Sequence, residues 1–203
     1  RINMFRQAVL VLSIIVLLIS CDDSEIYTPK PRMFPKVEYP ERNYVEFDTS
    51  FCSMTFEYPD YAIYEQDRYF FEGAPVDPCW FNIEFGPLNG TLHCSYIPIK
   101  NRDHFDELVN ESFELVEKHN IKANYRQEEY ISNDYGVGGL YFSLGGEVAT
   151  NMQYILTDTT EHFFRASLYF NSQVAPDSIR PVFNFVKEDV DHMVETFQWK
   201  NSK

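Results

Sequence analysis

Short stretches in which apolar and polar residues alternate recur along the chain. In residues 54–58 the apolar positions are Met54, Phe56 and Tyr58, polar residues lie between them, and Pro59 ends the run. Because successive side chains of a strand point to opposite faces, this period of two predicts a half-buried β-strand. The same pattern predicts strands at 80–85, 91–97, 122–131, 137–144, 152–156 and 162–170.

Two connections between predicted strands have the composition of hairpin turns. Residues 86–90 read Gly-Pro-Leu-Asn-Gly, and residues 158–161 read Asp-Thr-Thr-Glu. Gly, Pro, Asn and Asp favour turns, so we expect one hairpin at each position.

Two other stretches have a helical period. Apolar residues recur at spacings of three and four between residues 103 and 119, and again from residue 182 to residue 197. This spacing places them on one face, which predicts two amphipathic helices. Asn101 or Asp103 is expected to cap the first helix and Ser178 the second, because such side chains accept hydrogen bonds from free backbone N–H groups.

The order of the predicted elements is strands, a helix, more strands and a final helix. This order predicts an α+β fold: a single, mostly antiparallel sheet with two packed helices. The layout resembles the PsbP/Mog1-like superfamily, in which a terminal helix follows a β-meander.

The first twenty residues have the layout of a secretory signal peptide. Arg1 and Arg6 supply positive charge before an apolar run, residues 8–19. This run is too short for a comfortable membrane span. The run ends in Leu-Ile-Ser-Cys at Cys21, the lipobox of bacterial lipoproteins. We expect residues 1–20 to be removed and Cys21 to carry lipid, including fatty acids such as palmitate, because several acyl chains together anchor a protein stably. The alternative is a signal that stays uncleaved or is cleaved elsewhere.

A tether and one globular domain are expected after the signal. Residues 21–40 are acidic at first and then contain four prolines, which favour an extended chain. Part of this tether could instead pack on the domain through Tyr27, Phe34 or Tyr39. Residues 41–203 have the length of a single α+β domain.

The charge of the chain narrows the classes of partner. The formal net charge is −14, and the signal contains basic but no acidic residues, so all of the acid lies in the part that follows. Such a surface repels nucleic acid and anionic lipid headgroups. We therefore expect contact with a membrane through the lipid alone and no nucleic-acid partner.

No motif of catalysis or of metal or cofactor binding is present. The five histidines contain no H-x-x-x-H pair, and the cysteines form no C-x-x-C. Ser143 lacks the leading glycine of a nucleophile elbow, and the glycines at 136–139 complete neither a dinucleotide fingerprint nor a phosphate loop. We predict no enzyme, no catalytic residue, no metal ligand and no cofactor.

Three cysteines follow Cys21. Export to an oxidising compartment permits a disulfide, and Cys52 with Cys79 is the expected pair. Closing this loop of about 27 residues would stabilise the fold by roughly 3 kcal/mol. Cys94 is then a buried apolar residue of its strand; the alternative is three free, buried thiols.

Several segments of the chain together match a known pattern. They are residues 27–32, 56–62, 79–83, 151–154, 157–163, 167–171, 176–178 and 197–200. In combination with the lipobox at Cys21 they resemble the family of the gliding-motility-associated lipoprotein GldD.

The resemblance implies a cell-envelope lipoprotein of the Bacteroidota. Members support gliding and the linked type IX secretion machinery by assembling or stabilising partner envelope proteins. The resemblance implies no catalytic residue, and only Cys21 corresponds to a functional position. We expect the outer membrane, facing the periplasm, rather than the inner membrane.

Two hypotheses about contacts follow. In the first, Asp60, Tyr61 and the aromatic-rich residues 64–71 supply an interaction surface, although we expect most of these aromatics to be buried in the core. In the second, the protein is a ligand- or peptide-binding lipoprotein with a pocket between helix and sheet.

Overall fold

The computed structural model describes residues 6–7, 36–66, 77–171 and 176–200. Cys21 and most of the predicted signal and tether lie outside these residues. The described residues from Lys36 onward belong to one compact unit.

The described part of this unit contains ten strands, two α-helices and one short 3-10 helix, Gly86–Leu88. In chain order the elements are β1 (Tyr44–Asp48), β2 (Met54–Pro59), β3 (Ile63–Gln66), β4 (Trp80–Phe85), β5 (Gly90–Pro98), α1 (Arg102–Asn120), β6 (Ala123–Ser132), β7 (Gly138–Gly146), β8 (Thr150–Thr157), β9 (His162–Phe170), α2 (Pro176–Thr196) and β10 (Gln198–Trp199).

The strands form one large and one small sheet, and all of the pairs are antiparallel. The large sheet has the order β3-β4-β5-β9-β8-β7-β6, and the small sheet has the order β1-β2-β10. The hairpins β4-β5 and β8-β9 are those predicted from the turns. They meet where β5 pairs with β9, from Gly90 opposite Phe170 to Pro98 opposite His162.

Both faces of the large sheet are covered. Helix α1 lies on one face, where Phe105 and Leu108 pack with Ile155 of β8. Helix α2 and the small sheet lie on the other face, where Val190 shares a core with Tyr154, also of β8. This double cover explains why β8 is buried along nearly its whole length.

Phenylalanine rings join the two sheets. Phe56 of the small sheet stacks on Phe47, with 4.6 Å between ring centroids, and on Phe197 at 5.8 Å. Phe47 also stacks on Phe81 of the large sheet at 4.8 Å. Such pairs contribute about 0.5–1.5 kcal/mol each beyond the burial of their area.

The capping residue predicted from the sequence is found at the start of α1 but not at the start of α2. The N–H of His104 donates to Oδ1 of Asn101 at 2.9 Å, so Asn101 caps α1 and Asp103 lies inside its first turn. The prediction for Ser178 is wrong, because α2 begins at Pro176 and Ser178 lies within the helix. Proline suits the first helical turn, where its missing N–H would have no helical acceptor.

The predicted α+β class, with an antiparallel sheet and two packed helices, is confirmed. The strands form two sheets and not the single sheet predicted, and β1, β3 and β10 were not predicted.

Candidate functional site

The cysteines of the predicted site can be located in part. Cys21 lies outside the described residues. Cys52 and Cys79 are bonded in the structure, with 5.2 Å between their Cα atoms, and connect the start of β2 to the start of β4. Cys94 is free and buried, and burial raises the pKa of its thiol. The formation of the disulfide in the cell stays a prediction, for which a test is given below.

The predicted contact surface around Asp60 is only partly exposed. Asp60 faces solvent, but the hydroxyl of Tyr61 donates into the domain, to Oδ2 of Asp189. Tyr64 is half-buried, and its ring lies 5.3 Å from that of Phe47. The two tyrosines therefore pack with the interior, while residues 67–71 lie outside the described part of the chain.

A buried carboxylate of α2, that of Asp189, organises the contacts of this helix with residues 42–61. Asp189 is 0% exposed. Its Oδ1 accepts hydrogen bonds from Nε of Arg42 at 3.0 Å and from the hydroxyl of Tyr44 at 2.9 Å, and its Oδ2 accepts from Tyr61. Burial and the bond to Asp189 raise the pKa of Tyr44 to about 12 and raise that of Tyr61 as well. Both tyrosines therefore remain donors at physiological pH.

Arg42 extends this cluster along the helix. Its guanidinium also donates to the carbonyl oxygen of Phe185 at 2.8 Å and to the carboxylate of Glu188, and it lies 4.0 Å from the centre of the Phe185 ring. Tyr39 stacks on the same ring at 4.6 Å. The end of the predicted tether thus packs on α2, which was one of the two alternatives.

A second feature is a groove at the outer edge of the large sheet. Strand β6 is the last strand of this sheet, and α2 runs beside it. A cleft of about 460 Å³ lies between residues 124–125 and residues 177–184, and a second of about 230 Å³ lies between residues 129–131 and residues 187–195. We call the two clefts together the β6 groove. Its walls include Tyr125, Glu129 and Ile131 of β6 and Arg180, Lys187 and Glu195 of α2.

The register of β6 on β7 sets which side chains face the groove. Tyr141 of β7 packs towards α2, so its partner Glu129 faces the same way. Tyr125 lies four residues before Glu129 in the same strand, so its side chain points to the same face, opposite Gly145 of β7. A Cβ atom at Gly145 would lie 1.8 Å from the Tyr125 ring, so glycine is needed here for the ring to lie on the sheet.

The walls of the groove carry an excess of acid. Lys187 is paired with Asp191 at 2.7 Å, and Arg180 with Asp177 at 2.8 Å. Glu129 and Glu195 have no basic partner among the described residues. Burial, together with the charges of Asp191 and Glu129, raises the pKa of Tyr141 to about 12.

Two further properties of the described residues bear on the site. No group of three or more His, Cys, Asp or Glu side chains within them is arranged to hold a metal ion. None of the helices in that part of the chain is long and apolar enough to cross a membrane.

Sequence reasoning did not find the Asp189 cluster or the β6 groove. A signal for the first existed: an aspartate lies beside Val186 and Val190 on the apolar face of a predicted helix. The groove has no such signal, because it depends on which strand ends the sheet.

A comparison with known protein families confirms the family resemblance drawn from the sequence. The sequence model of the family described as "Gliding motility lipoprotein GldD" matches residues 24–199. Among solved structures, the chain is similar to the solution structure of cyanobacterial PsbP from Synechocystis sp. PCC 6803, with 12% identity, a TM-score of 0.44, and coverage of 85% of this chain and 99% of that chain. No curated protein matches the sequence significantly.

Proposed function

Because this chain belongs to the family of the gliding motility lipoprotein GldD, we propose that it is a lipid-anchored, non-enzymatic component of the apparatus for gliding and type IX protein secretion. In this role its domain assembles or stabilises partner proteins of the envelope. The observation that carries the proposal is the match over residues 24–199, which begins three residues after the predicted lipobox cysteine, Cys21.

The anchor in this proposal is Cys21. Membership of a lipoprotein family implies a membrane-anchored position in the envelope. We place the lipid on Cys21 and the domain on the periplasmic side of the outer membrane. With two or three acyl chains the attachment would be effectively stable.

The chemistry of the Asp189 cluster supports a role without catalysis. A catalytic carboxylate needs a free oxygen within reach of a substrate. The oxygens of Asp189 instead accept from Arg42, Tyr44 and Tyr61, and the residue is fully buried. This carboxylate therefore stabilises the fold and offers no proton acceptor to a ligand.

A gene deletion tests the proposed function. We expect the deletion strain to lose gliding and the export of type IX cargo, and the wild-type gene to restore both. A C21A variant should appear in the soluble fraction and restore neither, whereas a C94A variant should stay with the membranes. Normal cargo export in the deletion strain would contradict the proposal.

The larger cleft favours a second candidate function, the capture of a small ligand. Its volume of about 460 Å³ lies within the usual range for ligand pockets. Its lining combines apolar side chains, such as Ile179 and Phe183, with polar ones, such as Asn184. Native mass spectrometry of the protein extracted from envelopes distinguishes the two candidates, since a bound metabolite adds a fixed mass that disappears on denaturation.

A further inference from the structure

Within the described residues, no strand pairs with the outer edge of β6, the last strand of the large sheet. Strand β6 spans ten residues, contains no proline, and pairs only with β7 among the described strands. The strand at the opposite edge, β3, has four residues within the described part of the chain, which ends there at Gln66. Short edge strands are a common protection against unwanted pairing, and a long one is a template for another strand. Of the two edges, β6 is therefore the one suited to bind an extended chain.

The surroundings of β6 would hold such a chain in place. On the α2 side, the β6 groove forms a wall beside the strand edge. Tyr125, which is 56% exposed, lies on this side, and Tyr130, which is 91% exposed, lies on the other face. An added strand would therefore have one aromatic side chain next to each of its faces. Cross-strand contacts of this kind stabilise strand pairing.

The charges of the groove select the kind of chain. Glu129 and Glu195 lack basic partners among the described residues. Asp191 is a third carboxylate of the groove, and Lys187 balances its charge. A strand with Lys or Arg at alternate positions would place its cations beside these acids. Exposed aromatic rings also bind such cations through their faces.

A second copy of this chain fits the edge less well. Pairing two copies through β6 would bring two acidic grooves together, and each chain carries a net charge of −14. Like charges on adjacent strands destabilise pairing.

We propose that the open edge of β6 and the β6 groove bind an extended, basic segment of a partner envelope protein as an eighth strand of the large sheet. This inference rests on the proposed function, which requires a partner protein. It adds the place and the mode of binding, a strand addition in which backbone hydrogen bonds give affinity and alternate side chains give specificity.

Binding of designed peptides tests the mode. The full-length lipidated protein in detergent micelles is titrated with a labelled ten-residue peptide that alternates lysine and valine, and with the same peptide carrying glutamate for lysine. We expect saturable binding of the lysine peptide, at least about tenfold tighter than that of the glutamate peptide. Hydrogen exchange should slow at residues 123–132 and stay unchanged at β3. Binding without protection of β6 would overturn the proposal.

Charge reversal tests the place. The double variant E129K/E195K should bind the lysine peptide about tenfold more weakly than the wild type. The matched control E107K/E114K makes the same change of charge at exposed positions of α1 and should bind within about twofold of the wild type. Equal losses in both variants would show attraction by net charge alone and would overturn the proposal. Thermal melts confirm that both variants are folded.

The same variants in cells separate this inference from the proposed function. We expect E129K/E195K, at wild-type level in the membrane, to impair cargo export in the deletion strain, and E107K/E114K to restore it. Normal export with E129K/E195K would refute the binding of a partner at the β6 groove and leave the proposed function intact. Normal export in the deletion strain would refute the proposed function instead. A dimer in sedimentation that E129K/E195K dissociates would identify a second copy as the occupant and refute the partner strand.

Discussion

At the scale of single residues, Asp158 holds the turn between β8 and β9. Its Oδ1 accepts from the backbone N–H groups of Thr160 at 2.9 Å, Glu161 at 2.8 Å and His162 at 2.9 Å. Partial burial acts to raise the pKa of Asp158, but these donors outweigh it and the pKa lies below the ordinary value of 3.8. The carboxylate form is therefore the one that the folded turn prefers.

We expect D158A to lower the free energy of unfolding by about 2 kcal/mol at pH 7. Because the folded pKa is below the unfolded one, this stabilisation is complete above about pH 4 and is lost as the pH falls through the folded value. Urea denaturation of both proteins at pH 7 and pH 3 measures it. A difference that is the same at the two pH values would show that the charge of Asp158 contributes nothing.

Asp189 provides the second prediction at this scale. Replacing it by Ala removes the acceptor of the Tyr44 and Tyr61 hydroxyls, while Arg42 keeps the exposed Glu188 as its carboxylate partner. We expect D189A to lose about 3–5 kcal/mol, since two part-buried donors lose their acceptor and Arg42 loses its buried partner. D191A, at a half-exposed position on the same helix, should lose about 1 kcal/mol or less. Chemical denaturation at neutral pH measures both variants, and similar losses would contradict the assigned role of Asp189.

The sequence explains why Asp189 was missed. Its place beside Val190 predicts burial, and a buried carboxylate needs partners. Those partners are Arg42, Tyr44 and Tyr61, which lie at least 128 residues away along the chain. No local pattern connects positions so distant, because only the folded sheets bring them together.

At the scale of elements, the disulfide joins the small sheet to the large one. We expect C52S, C79S and the double variant to lose similar amounts, about 3 kcal/mol each, because any of them opens the same loop of 27 residues. Denaturation with and without reductant measures the loss. Peptide mapping without reduction should show Cys52 and Cys79 in one species; separate peptides would rule the bridge out.

The predictability of the elements follows from how each is buried. Strands such as β4 and β5 alternate regularly between buried and partly exposed positions, so their period is visible in the sequence. Strand β1 has a single buried residue, Phe47, and β10 has only two residues. Both strands form by pairing with β2, which lies between them. Their own residues do not indicate this pairing.

At the scale of the whole molecule, one aromatic core connects both sheets with α2. It includes Phe47 and Phe56 of the small sheet, Phe81 and Phe164 of the large sheet, and Val190 of α2. The order of the large sheet, with β5 beside β9, decides this arrangement and also makes β6 an edge. Residue periodicity reports which face of a strand is buried but not which strand lies next to it. For this reason the β6 groove could not be predicted from the sequence.

The shared core predicts cooperative unfolding. Trp80 lies on the α1 side of the large sheet, and Trp199 belongs to the small sheet. In W80F and in W199F the remaining tryptophan reports on one side. Its fluorescence should change at the same urea concentration as the far-ultraviolet circular dichroism of that variant, as in a two-state transition. A midpoint for Trp199 well below that of the circular dichroism would indicate that the small sheet opens by itself.

The small sheet has one more consequence, for engineering. Strands β1 and β10 flank β2, with Tyr44 opposite Pro59 at one end of β2 and Trp199 opposite Met54 at the other, so these two residues are about 20 Å apart. A linker from Lys200 to Lys36, which keeps Arg42 in the chain, could join the ends, and new termini could be cut in the β7–β8 connection, which would give a circular permutant with the fold retained. In such a permutant the lipid would attach beside the β6 edge. Comparing it with the parent in cells would reveal whether that edge has to point away from the bilayer.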